Sequence, residues 1–162
     1  MRNVLLRWTS VGIVILILSL AIQAVPYGRT HTNPPVRMEP FWDSPQSRAL
    51  AVRACYDCHS NETVWPWYSN IAPVSWLIQN DVDEGRLKLN FSEWDRVQRK
   101  AGESGKKVRE WEMPPVYYAA FHPKAWLYGD KRAALIRGLE ATFSGEGKGE
   151  RVAQRNPERP GP

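Results

Sequence analysis

The chain has two cysteines in 162 residues, and they stand three apart in Cys55-Tyr56-Asp57-Cys58-His59. No other feature restricts the fold as tightly. C-x-x-C followed directly by His is the spacing of a c-type haem attachment site. Two thiols at this separation reach the two vinyl groups of one porphyrin and form thioethers. The next histidine is then held beneath the ring, where its imidazole can bind iron. Cys55 and Cys58 are therefore the expected covalent attachments of one haem c per chain, and His59 the expected proximal iron ligand. Two other readings compete. A redox dithiol of the thioredoxin kind needs a βαβ context, and no strand-rich pattern surrounds these cysteines. A structural zinc site needs four ligands, and beyond His59 only His31 and His122 are at hand, without zinc-type spacing.

The N-terminus adds a second constraint. Trp8 to Val25 carries no charge, and Arg2 and Arg7 precede it. Eighteen uncharged residues meet the lower end of the roughly 17–25 needed to span a bilayer. Basic residues on the N-terminal flank keep that end cytoplasmic and place the remainder outside. The expectation is a single-pass anchor in the inner membrane, through residues 8–25, with the rest in the periplasm. A cleaved signal peptide is the alternative, although Ile22-Gln23-Ala24 is a poor small-x-small cleavage site. Formal charge is +5, of which Arg2 and Arg7 supply two, so the exported part carries only +3. No basic stripe points to nucleic acid.

Beyond residues 1–25, the chain divides into a tether at 26–43, a helical domain at 44–143 and a tail at 144–162. The tether is rich in proline, glycine and polar residues and has no period; His31 in it reads as a solvated linker histidine. Ser44-Pro45 predicts a helix start, with Ser as N-cap and Pro in the first turn. Ala49, Leu50, Val52 and Ala54 form its apolar set. Trp65-Pro66-Trp67-Tyr68 predicts a rigid aromatic loop, and Trp65, Trp67 and Tyr68 are candidates for a haem wall. Pro73 opens a second helix, with Val74, Leu77, Ile78 and Val82 at helical spacing and Gly85 closing it. Asn90-x-x-Glu93 offers a capping box for a third helix, which Gly102 and Gly105 interrupt. A short helical piece is expected around Lys106 to Trp111. A last helix runs from Asp130 to Phe143, with Asp130 as N-cap and Leu135, Ile136 and Leu139 inward. The tail from Ser144 is Gly/Glu/Arg/Pro-rich, a composition that predicts disorder.

The second face of the iron needs its own ligand. Met113 is the leading candidate, because Pro114 and Pro115 hold its loop in one shape and limit the entropy lost in presenting a weak thioether ligand. His122 is the runner-up. His59 also needs a partner to fix its tautomer, and the Pro73 carbonyl is a candidate from spacing.

With these residues placed, the sequence resembles the haem-binding domain family of small bacterial, membrane-anchored, mono-haem c-type cytochromes. The matching stretches are AsnProProVal from Asn33, CysTyrAspCysHisSerAsnGluThr from Cys55, TrpProTrpTyrSer from Trp65 and IleAlaProValSerTrp from Ile71. GlyArg at Gly85, LeuAsnPheSerGluTrp from Leu89, MetProPro from Met113 and HisPro at His122 also match. The resemblance spans about residues 23 to 143. It implies covalent haem on Cys55 and Cys58, iron on His59, and Met113 opposite. Gly102 to Gly105 departs from the family pattern and loosens the stretch before Met113.

The expected fold is all-α: a cytochrome c-like helical domain around one covalent haem, with an N-terminal transmembrane helix and a disordered C-terminal tail. The expected function is one-electron transfer with redox proteins the sequence does not name. A haem-based gas or redox sensor and a peroxidase-like protein are the alternatives. No nucleophile–base pair or carboxylate dyad argues for an enzyme.

Overall fold

The structure, a computed structural model, describes residues 2–144, with side chains from Arg7 onward. The described residues are all helical apart from turns and extended connections, and their one β contact is an isolated bridge between Met38 and Glu93. The helices are α1 (Arg2–Ala21), α2 (Pro45–Ala54), α3 (Tyr56–His59), α4 (Val74–Lys88), α5 (Ser104–Arg109), α6 (Val116–Phe121) and α7 (Gly129–Phe143). The tail expected to be disordered lies outside the described residues from 145 onward. The chain forms two compact units, one of residues up to Thr32 together with Val64–Asp83, the other of Asn33–Thr63 with Glu84 onward.

The first unit begins with α1, whose side chains from Arg7 to Ala21 are all exposed. A helix apolar on every side and left uncovered by the other described residues is suited to a non-aqueous surrounding. Its window Arg7–Ala24 is long and apolar enough to cross a membrane. The chain then packs against Val64–Asp83. The Gln23 side chain brackets the backbone of Ala72: Oε1 accepts the Ala72 N–H at 3.0 Å, and Nε2 donates to the Ala72 carbonyl at 2.8 Å. Gly28, at φ +79°, lies so close to Ser75 that a Cβ would overlap the Ser75 carbonyl. His31 is half-buried, stacked on Trp65 at 4.7 Å, with Nε2 donating to the Ser69 carbonyl at 3.1 Å. It is a packing residue of this unit and not a solvated linker histidine.

The second unit holds the core. Leu50, Ala51 and Ala54 of α2 meet Leu135, Ile136, Leu139 and Phe143 of α7, with Phe91, Val108 and Leu127 closing the cluster. Ser44 caps α2 as expected, its side chain accepting the Ser47 N–H at 3.2 Å. The inward set differs from the expected one: Ser47 and Ala51 face the core, while Ala49 and Val52 are exposed. Gly138 explains this, because a side chain there would overlap Ser47 Oγ, so α2 and α7 close on that line.

Four expected boundaries are corrected. Asp130 does not cap the last helix; α7 starts at Gly129 after Tyr128, with Asp130 in its first turn. Gly85 does not end its helix; α4 continues to Lys88. The capping box at Asn90 starts no helix. Its Oδ1 instead accepts the Ser92 N–H at 2.9 Å, a local turn that competes with helix formation, and Phe91 enters the core while Val97 stays exposed. Gly105 does not loosen the chain before Met113. It lies inside α5, where a Cβ would come within 2.7 Å of Glu140 Cγ, so glycine there lets α5 pack on α7. Pairing of those helices is closed further by an ion pair between Arg109 and Glu140. Helix α6, just after Met113-Pro114-Pro115, has no counterpart among the helices expected from the sequence.

Candidate functional site

The cysteine motif sits where α2 breaks. Cys55 leaves helical geometry at φ −127°, ψ −32°, and α3 restarts at Tyr56 for a single turn. Both cysteines are half-buried thiols outside any disulfide. Burial pushes the Cys55 thiol up to about 12. His59, at the end of α3, directs Nδ1 at two backbone carbonyls, those of Gly85 and Leu89, each at 3.0 Å. Carbonyls only accept, so Nδ1 carries the proton and Nε2 keeps the lone pair a metal needs. Burial lowers the imidazole pKa against the opposing pull of the two carbonyls, which favours the neutral ring. The tautomer-fixing role expected of Pro73 therefore belongs to Gly85 and Leu89. The Pro73 carbonyl is taken up by the N–H groups of Trp76 and Leu77, at 3.1 and 3.3 Å, in the first turn of α4.

The residues after His59 fix this turn in place. Ser60 and Asn61 are buried, and so are Asn90 and Ser92. Asn61 takes the Asn90 side-chain amide on Oδ1 at 2.8 Å, and its own N–H donates to Ser92 Oγ at 2.9 Å. The Phe91 N–H donates to the His59 carbonyl at 2.8 Å. Arg86 spans the same strip, donating to the Ser60 carbonyl at 2.8 Å and to Asn33 Oδ1 and Thr63 Oγ1 at 2.9 Å each. The bonds among Asn61, Asn90 and Ser92 are buried and so costly to break. From sequence alone, Ser60–Thr63 reads as a plain polar turn. The signal that could have found this strip is the pair of short stretches GlyArg at Gly85 and LeuAsnPheSer at Leu89.

Met113 is placed differently. It is 36% exposed, its N–H donates to the Lys107 carbonyl at 3.2 Å, and the Met113–Pro114 peptide is cis. With Val108, Trp111, Trp126, Leu127 and Arg132 among its neighbours, it lines a mostly apolar cavity of about 40 Å³. Cys55, Cys58 and His59 are not among the lining residues. The connection runs through α6. Tyr118 Oη donates to Asp57 Oδ2 at 2.5 Å, so the helix that follows the Met-Pro-Pro segment is tied to the residue between the two cysteines. Burial, then the Asp57 charge, drives the Tyr118 hydroxyl pKa up, so it stays a donor. His122 is stacked on Tyr118 at 4.1 Å, and its Nδ1 donates to the Tyr118 carbonyl at 2.9 Å. Trp65, Trp67 and Tyr68 fold with the first unit, where Trp65 stacks on His31 and Trp67, 76% exposed, meets Tyr68 edge-on.

These residues fit a haem. Two thiols and an imidazole with its Nε2 lone pair available form the donor set. Gly85 leaves room where a Cβ would overlap the Cys58 carbonyl. Trp126 Nε1 is buried beside Met113, with no hydrogen-bond partner among the described residues. Ser75 Oγ, Trp76 Nε1 and Gln79 Oε1 are likewise buried without a partner among the described residues, and a buried donor left unpaired suits a ligand with polar edges.

Comparison with known proteins agrees with the chemistry. The model of a haem-binding domain family matches residues 17–141. No curated protein and no solved structure matches the chain.

Proposed function

The chain belongs to the haem-binding domain family, and from that premise we propose that it is a membrane-anchored c-type cytochrome whose task is one-electron transfer. The observation that carries the reading is His59 with Nδ1 donating to two carbonyls at 3.0 Å, directly after Cys55 and Cys58 at thioether spacing. Bound haem supplies an iron that changes by one electron. The chain's part is to hold it still. Cys55 and Cys58 would attach it, His59 Nε2 would bind the iron, and the Gly85 and Leu89 carbonyls stop the imidazole from turning. Met113 would supply the second iron ligand. A thioether there favours the ferrous state over a second imidazole and raises the potential. Tyr118, through Asp57, keeps the segment that carries Met113 in register with the cysteine motif. Helix α1 anchors the protein in the inner membrane, with the basic Arg2 and Arg7 inside and the haem domain in the periplasm.

The optical spectra of the purified full-length protein in both redox states test this reading. Low-spin spectra that resist carbon monoxide are expected. A ferrous form that is high-spin and binds carbon monoxide at once would shift the reading to a gas sensor or a peroxidase-like protein.

A further inference from the structure

The first unit presents an apolar surface that its own core does not cover. Val74 and Leu77 are 41% and 50% exposed, although helical spacing in the sequence predicts both as inward. Ile71 is 44% exposed and Trp67 76%. Only Val82 of the expected inward set is fully buried, with Ile78 half-buried. Apolar residues scattered singly on a surface need no explanation, but here Val74 and Leu77 stand one turn apart on α4, with Ile71 and Trp67 exposed just before it.

The patch is fixed to the end of α1. Gln23, at the close of the apolar window Arg7–Ala24, holds both backbone groups of Ala72. Ile71 precedes Ala72 and Val74 follows one residue beyond Pro73, so at 3.8 Å per residue both lie within about 8 Å of that clasp. The headgroup zone on one side of a bilayer is about 5–8 Å deep. Where the anchor leaves the hydrocarbon, Ile71 and Val74 are therefore at headgroup depth, and Leu77 stands one turn further along α4 from Val74. Tryptophan is enriched at that level, where its apolar body and N–H both find partners. Arg29, whose Nη2 donates to Gln23 Oε1 at 3.2 Å, puts a cation beside the same clasp.

We propose that Trp67, Ile71, Val74 and Leu77 form a lipid-facing patch that lies in the headgroup region beside the anchor and holds the first unit down on the bilayer. The proposal rests on α1 being a membrane anchor. It gives Trp67 a membrane role in place of a haem-wall role. The interfacial burial expected for such a surface is about 5–10 Å.

Photocrosslinking of the full chain tests it. A benzophenone side chain is placed at Trp67, at Leu77 and, as an internal reference inside α1, at Leu16. Each variant is reconstituted into vesicles of phosphatidylcholine and phosphatidylglycerol, after a haem stain shows that it carries haem. Irradiation should give lipid adducts at Trp67 and Leu77 with yields within about threefold of that at Leu16, as for a surface buried in the interface. Lipid adducts at Leu16 with none at Trp67 and Leu77 would overturn the patch and leave the anchor standing. Adducts between two copies of the chain at Trp67 or Leu77, in place of lipid, would mark the surface as a protein interface and overturn the proposal as well. No lipid adduct at Leu16 would remove the anchor, and the patch with it.

Discussion

The Gly85 carbonyl accepts the Nδ1–H of His59 at 3.0 Å, and the same glycine lies so close to Cys58 that a side chain would overlap its carbonyl oxygen. One residue of α4 thus orients the imidazole and makes room for the second cysteine. Glycine inside a helix costs about 1 kcal/mol relative to alanine. Here the close approach offsets that cost, and it explains why α4 runs through Gly85 where the sequence alone suggested a helix end.

Gly85→Ala should therefore be destabilising, against the usual helix preference. Overpacking of this kind costs about 1–3 kcal/mol. Thermal unfolding of the haem-loaded protein should show a lowered Tm, and a haem-stained denaturing gel should show reduced haem incorporation. An unchanged Tm would mean that α4 can move away from Cys58 freely.

Covalent attachment is checked on the same gel. Wild-type protein should keep its haem through denaturation. Cys58→Ser should leave a single thioether and shift the reduced spectrum, and the double change Cys55→Ser with Cys58→Ser should release the haem entirely. Haem lost from the wild-type chain on the gel would refute attachment through these thiols.

Met113→Ala should open the iron. The variant is expected to become high-spin and to bind ferrous carbon monoxide far faster than wild type, while Met113→His should lower the potential. A low-spin Met113→Ala protein would move the assignment to His122, and His122→Ala then becomes the deciding variant.

Tyr118→Phe removes the 2.5 Å bond to Asp57 and leaves a part-buried carboxylate short of a donor. Hydrogen bonds to a charged group contribute about 1.5–3 kcal/mol, and the Tm should fall accordingly. If this bond also holds the Met113 segment in register, carbon monoxide binding in Tyr118→Phe should rise toward that of Met113→Ala. Asp57→Asn with Tyr118→Phe should cost less than the sum of the two single changes.

Acid should loosen the second unit through Glu39. Its carboxylate accepts from Arg48 at 2.6 Å on both oxygens and also from Trp42 Nε1 and Tyr56 Oη. The Arg48 hydrogen bonds hold its pKa below the ordinary carboxylate value, against the opposing effect of burial. A depressed folded pKa means that the unfolded chain takes up the proton first as pH falls. The contribution is therefore complete above the unfolded pKa of about 4.3 and is lost as pH drops through the lower folded value. Glu39→Gln should lower stability at pH 7, and it should flatten the fall in Tm between about pH 5 and pH 3.

Local chemistry was legible in the sequence. The haem motif, the uncharged run before it, the Ser44-Pro45 helix start and the inward face of the last helix each depend on residues within a few positions of one another. The chain expresses them whatever lies elsewhere. The partners that orient the site were not legible, because each comes from a distant part of the chain. His59 is held from 26 and 30 residues away, Asp57 from 61, and Asn61 from 29. A carbonyl has no identity in the sequence, so nothing in the letters could choose Gly85 and Leu89 over Pro73 as the acceptors of Nδ1. The same holds for the glycines. Gly85 and Gly105 read as breaks in a one-dimensional pattern, and Gly138 passes unremarked inside the last helix. Only the tertiary packing shows them as the places where Cys58, Glu140 and Ser47 come too near for a side chain to fit.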